Sequence, residues 1–258
     1  MTEVGVGALL RNWRQRRHLS QLDLALDAGV SARHLSFVET GRSRPSPEMV
    51  LLLAEELEVP LRDRNQLLLA AGYAPVYGQR GLDEPDMKPV REALDLVLRG
   101  HEPYPAVVVD RGWNMVAANS SVGVLTEGVA PGLLAPPANV LRLSLHPDGM
   151  APRILNLGEW RDHLLERLGR EVVLTGDEAL AALLVELGGY PAPEGTDVGG
   201  AGGEIAVPLR LRVGDAELAF FSTVATFGTA VDITVAELSI ESFFPADTDT
   251  ARYMTALI

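Results

Sequence analysis

The stretch from Ser20 to Pro60 is punctuated so closely by helix starts and stops that it can form only a set of short helices. Ser20, Ser31 and Ser46 stand where N-caps are wanted, Gly29 and Gly41 where a helix must end with positive φ, and Pro47 at a first helical position. Before them, Leu9, Leu10, Trp13 and Arg17 recur at helical spacing in a run without Gly or Pro from Ala8 onward. The pattern predicts five helices: that first run, then Gln21 to Ala28, Ser31 to Glu39, Glu48 to Leu57, and Leu61 to Ala71 after the break at Val59-Pro60. The expected fold of residues 1–80 is all-α.

Spacing within the second and third helices is more specific. Leu24, Ala25, Gly29, Val30, Leu35 and Val38 supply a small residue at a crossing, a glycine turn and apolar anchors, which is helix-turn-helix geometry. In that geometry the later helix lies in a major groove, so Ala32, Arg33, His34, Ser36 and Phe37 are the candidates for base edges. Gln21, Thr40, Arg42 and Arg44 are the candidates for phosphates. Charge agrees with this placement. Residues 1–80 carry 10 Arg and 9 acids, whereas residues 81–258 carry 12 bases and 26 acids, so a nucleic-acid surface belongs to the near-neutral N-terminal part. Leu22 and Leu26, one turn apart, call for a covering surface such as a second subunit or the C-terminal domain.

The string SARHLSFVETGRSRPSPEMVLLLAEELEVPLRDRNQLLLAAGYAPVY resembles the XRE-type DNA-binding domain of the MmyB-like transcriptional regulators. The similarity continues through EPYPAVVVDRGWNMVAANSS and NVLRLSLHPDGMAPRILNLGEW. It implies a bacterial regulator with a PAS-like C-terminal ligand domain, some members of the family binding fatty acid.

Read without that resemblance, residues 81–258 form an α+β domain. Pro85 to Gly100 is a helix joining the two parts within a connecting stretch, residues 81–103. Tyr104 to Asp110 and Trp113 to Ala118 read as a hairpin, Asn119 to Leu125 as a short helix and Gly128 to Pro137 as a loop. Gly158 to Gly169 and Asp177 to Leu187 read as helices. The period then changes to two, with strands over Ile205 to Val213, Ala216 to Phe227 and Val231 to Phe243, the first pair turning at Gly214-Asp215. The outcome is an antiparallel sheet with one face open to apolar residues or a ligand.

No cysteine is present, which excludes disulfides and thiolate chemistry and suits a reducing cytoplasm. The glycine run at Gly199 to Gly203 lies between helix and strand without the Lys-Ser/Thr of a phosphate loop, and reads as a mobile connection. No G-x-S-x-G elbow or zinc motif accompanies Ser120, His101, His146 or His163, so no catalytic residue, metal or cofactor is expected. An enzyme of acyl or lipid metabolism that uses its helix-turn-helix for docking is the alternative class. A fatty-acid effector needs a dry channel and a handle for its carboxylate. Arg142, His146, Arg153 and Asn156 are the candidate handles, and Trp113, Met115, Phe220 and Phe227 the candidate lining. The expected assembly is a homodimer on a double-stranded operator, away from any membrane.

Overall fold

The computed structural model describes residues 5–191 and 206–257 and divides into two compact units. One comprises the chain up to Arg80 together with Thr229–Ala236; the other holds Gly81–Gly228 and Glu237–Ile258.

The first unit has the five expected helices: α1 Val6–Arg16, α2 Gln21–Asp27, α3 Ala32–Glu39, α4 Pro47–Glu56 and α5 Leu61–Ala70. Their starts follow the serines. Ser20 Oγ accepts from the Asp23 amide at 3.1 Å while the Asp23 carboxylate accepts from the Ser20 amide at 3.0 Å, a reciprocal capping box. Ser31 and Ser46 accept from the amides of His34 and Met49. Gly29 and Gly41 take φ of +64° and +71°, the left-handed turn that ends a helix most cheaply with glycine. Leu10, Trp13, Leu24, Leu35, Val38, Leu53 and Leu68 bury together as one core.

In the second unit a single 3-10 turn, Pro85–Met87, opens α6, Lys88–Gly100. Strands β1 Ala106–Val109 and β2 Met115–Ala118 follow, then a 3-10 turn at Ser120–Val122 and α7 Gly123–Thr126. Helices α8 Pro131–Leu134, α9 Val140–Leu145, α10 Leu157–Thr175 and α11 Glu178–Gly188 come next, before β3 Leu209–Val213 and β4 Ala216–Thr226. Helix α12, Ile233–Ala236, lies in the part of the connection from β4 that belongs to the first unit; β5 Ser239–Pro245 and α13 Thr248–Thr255 complete the chain. The strands form one antiparallel sheet in the order β2-β1-β5-β4-β3. One face packs with α10 and α11 through Val107, Leu209, Phe220, Phe243, Trp160, Leu164, Leu168 and Leu183. The opposite face meets α6 through Ala106, Val108, Ile240, Leu94 and Leu98.

Several boundaries differ from the sequence reading. The expected strand from Val231 to Phe243 is a helical turn at 233–236 followed by β5, because Asp232 accepts from the Thr234 amide and starts a turn there. Trp113 is not in a strand. It sits at φ +63° in a turn that Asp110 holds by accepting from the amides of Gly112 and Asn114. Gly169 does not end α10, which runs on to Thr175 and stops at Gly176 with φ +64°. The loop from Gly128 to Pro137 contains α8, while α9 and α13 carry no expectation from the sequence. Gly199 to Gly203 and Ile205 lie outside the described residues.

Candidate DNA-reading surface and effector cavity

Helix α3 sorts its residues by face. Leu35, Val38 and Glu39 are buried, Arg33 and Thr40 are exposed, and Ser36 and Phe37 are half-buried. The Arg33 guanidinium lies 5.4 Å from the Phe37 ring centroid, so the two side chains share the outward face. His34 is half-buried at the helix start. Ala32 packs against the core of the unit, which withdraws it from the face that Arg33 occupies.

The face is held in place from within. Arg14 on α1 meets Glu39 on α3 through Nε at 2.7 Å and Nη2 at 2.9 Å. The Gln21 side chain donates to the same carboxylate at 2.7 Å, tying the first residue of α2 to the last of α3. Burial pushes the Glu39 carboxyl up, but hydrogen bonds from Arg14 and Gln21 outweigh it and hold the group below the ordinary carboxylate range. Gln21, a candidate phosphate contact, is thus engaged internally. Arg44 is too: its Nε and Nη2 donate to the Ala71 carbonyl at 3.1 and 2.7 Å, and its guanidinium lies 5.0 Å from the Tyr73 ring centroid. It caps the C-terminus of α5. Arg17 caps α4 in the same manner, donating to the carbonyls of Leu57 and Glu58. Arg11, Arg33 and Arg42 are exposed, and so is Arg44 despite these bonds.

In the second unit an apolar cavity of about 60 Å³ opens between the sheet and α10. Val107 of β1, Met115 of β2, Leu209 of β3 and Phe243 of β5 line it together with Leu141 and Leu143 of α9 and Trp160 and Leu164 of α10. Its polar wall groups are Thr126, Ser144 and Glu241. The Ser144 hydroxyl accepts from Trp160 Nε1 at 2.9 Å.

Of the expected lining residues, Met115 is on the wall. Trp113, Phe220 and Phe227 are not among the residues bordering it. Trp113 is buried and donates through Nε1 to Glu171 at 2.9 Å, Phe220 packs edge-on against Phe243 in the core, and Phe227 packs on the opposite side of the sheet. The four expected handles are also held elsewhere. Arg142 pairs with Glu186 at 2.7 Å through two nitrogens, and that contact draws the Glu186 carboxyl down to about 2. Tyr190, partly buried and donating to Glu186, is pushed up to about 12. His146 Nδ1 accepts from the Asp148 amide, Arg153 donates to the carbonyls of Val124 and Leu125, and Asn156 bridges Pro208 and Arg210. Sequence reasoning missed Glu241 and Ser144. Glu241 was detectable as the one charge in SIESFF, at an inward register opposite Val107.

The family model of the MmyB-like transcription regulator ligand binding domain matches residues 90–257. The chain belongs to the MmyB-like transcription regulators. A helix-turn-helix model matches residues 10–63, which span α2 and α3. The ImmF control region 10 kDa protein of Bacillus phage phi105 is 32% identical over 72 residues, 26% of this chain and 80% of the phage protein. This MmyB-like regulator is therefore a DNA-binding transcription regulator with a ligand-binding domain. Among the described residues, no helix is long and apolar enough to cross a membrane.

Proposed function

We propose that this MmyB-like regulator grips an operator as a homodimer through α3, and that an apolar effector in the cavity changes its operator affinity. The observation that carries the first part is the two-sided sorting of α3, with Leu35, Val38 and Glu39 inward and Arg33, Ser36, Phe37 and Thr40 outward. Arg33 reads a guanine edge, and Ser36 and Phe37 contact bases beside it. His34 touches the groove wall, with Ala32 beneath it as packing. Thr40 and the exposed Arg42 contact phosphates, while Gln21 and Arg44 shape the surface from behind. A single reading helix gains affinity from a second half-site one DNA turn away, and exposed Leu22 and Leu26, at 59% and 70%, offer apolar area for the pairing. A monomeric mass by light scattering, with and without operator, would exclude the dimer.

The cavity supports the second part by its small size. Ligand pockets commonly reach ~300 Å³ or more, whereas this one measures about 60 Å³. An effector of any length must part the walls, where the flexible side chains of Met115 and Met150 yield most readily. A ligand that requires a wider cavity binds one arrangement of the domain better than the other, the condition for shifting an equilibrium. The family resemblance suggests a fatty acid, whose tail suits these walls. The PAS-like reading of the sheet, residence in the cytoplasm and regulation without catalysis belong to the same proposal. Fluorescence-anisotropy titration of an operator, selected from genomic fragments at low ionic strength, tests it; operator affinity unchanged by every cavity ligand would refute the coupling.

A further inference from the structure

Strand β5 places Glu241 and Phe243 on the cavity wall, and only Glu237 and Leu238 separate its first residue, Ser239, from the end of α12 at Ala236. Two extended residues span at most about 7 Å. Neither supplies slack. Leu238 is buried with Ala106, Val108 and Ile240, and Glu237 pairs with Arg111 at 3.4 Å. Beyond them the segment is equally fixed: Ile233 and Val235 are buried, Asp232 holds Arg80, and α12 packs against α5. Arg44 ties the C-terminus of α5 to the loop after α3. Arg111 itself stands in the turn between β1 and β2, where its Nε lies 3.1 Å from Asp177, the residue that caps α11. The same turn carries Trp113, which donates to Glu171 of α10 and has the Arg167 guanidinium 4.4 Å from its ring centroid. Arg167 in turn pairs with Glu241 at 3.2 Å.

We infer that Arg111 is the positioning residue through which the cavity acts on α3. By fixing Glu237 it makes the junction between α12 and β5 a stiff link, so that parting of the cavity walls is carried along β5 into α12 and, through α5 and Arg44, to the reading helix. The arrangement gives Arg111 two sources of movement to transmit. Helix α10, which supplies Trp160 and Leu164 to the wall, reaches the turn through Trp113, and α11 reaches it through Asp177. Were the link slack, β5 could shift on ligand entry while α12 stayed seated on α5. Both arrangements of the second unit would then hold α3 alike, and a ligand could not change operator affinity however tightly it bound. The inference rests on the cavity being the effector site and supplies the route by which its occupancy is felt at DNA.

Anisotropy titration of an operator fragment with the full-length protein, with and without saturating decanoate, measures the coupling as a ratio of affinities; calorimetry measures decanoate binding by itself. In the native protein the ratio is expected to be at least about fivefold. Glu237→Ala, which leaves the Arg111–Asp177 pair in place, is expected to bring it below about twofold, with decanoate affinity and effector-free operator affinity each kept within about twofold. Glu237→Gln still offers Arg111 an acceptor and should retain most of the ratio. Two glycines inserted between Ala236 and Glu237 add about 7 Å of slack with every side chain kept, and should uncouple the protein as Glu237→Ala does. A ratio retained in Glu237→Ala or in the insertion, or loss of either binding event itself in Glu237→Ala, would overturn the role of Arg111 while leaving the cavity as the effector site. Operator affinity indifferent to decanoate in the native protein would overturn both.

Discussion

Arg14 and Glu39 have side chains 10% and 1% exposed, so neither can turn to water if the other is lost. Removing one member of such a pair strands a buried charge, a cost of about 3–5 kcal/mol, and Glu39→Gln is expected to lower the stability of the first unit by that order in urea titration. Because the folded Glu39 carboxyl titrates below its ordinary range, its stabilisation is complete above that range and is lost as pH falls through the lowered folded value. The acid limb of the stability profile should therefore flatten in Glu39→Gln. The exposed arginines divide by what their guanidiniums engage. Arg33→Ala should relax preference at one base pair by about 1–3 kcal/mol, and Arg42→Ala should weaken all sequences alike with a salt slope smaller by about one. Arg44→Ala should instead lower the melting temperature, since it uncaps α5, and leave the salt slope as it was. Composition shows all ten arginines alike; only tertiary contacts separate those that cap helices or pair with side chains, such as Arg44, Arg17, Arg14 and Arg80, from the others.

At the scale of elements, the crossing of α1 and α3 admits no side chain at Gly7. A Cβ built there lies 2.2 Å from the Val38 carbonyl oxygen and 2.9 Å from that of Glu39, both backbone atoms with no rotamer to escape into. Gly7→Ala is expected to cost at least the 1–3 kcal/mol or so typical of overpacking and to weaken operator binding by tilting α3, read out by thermal melts and anisotropy on one preparation. Helices α1 to α5 were legible because their caps are local: a serine, a glycine or a proline acts within one turn. Helices α9 and α12 were not, since six and four residues leave too few turns for a periodic signal. Gly169 is a misleading stop signal for α10: a glycine inside a helix costs little and need not end it, and the left-handed residue that does is Gly176, at φ +64°. The candidate site divides in the same way. The outward face of α3 could be read from spacing, whereas the cavity depends on strand register and on ion pairs that join residues far apart in the chain, such as Arg167 and Glu241.

At the scale of the molecule, the first unit is completed by residues from near the end of the chain. The Ile233 amide donates to the Gly78 carbonyl at 2.8 Å, and Arg80 reaches the buried carboxylate of Asp232 at 3.1 Å. A fragment ending at Arg80 should therefore melt below the same unit in the full chain, and Asp232→Asn in the full chain should reproduce part of that loss; equal melting temperatures would contradict it. A sequence reading divides the chain at a single point, and nothing local in 229–236 announces that it packs with helices so far upstream. Arg80 and Asp232 are 152 positions apart. A ribosome adding ~5–20 residues per second therefore takes roughly 8–30 s to follow Arg80 with its partner Asp232. A chain released early carries α3 on an incomplete base, so the first unit reaches its full stability only after most of the second unit has been synthesised.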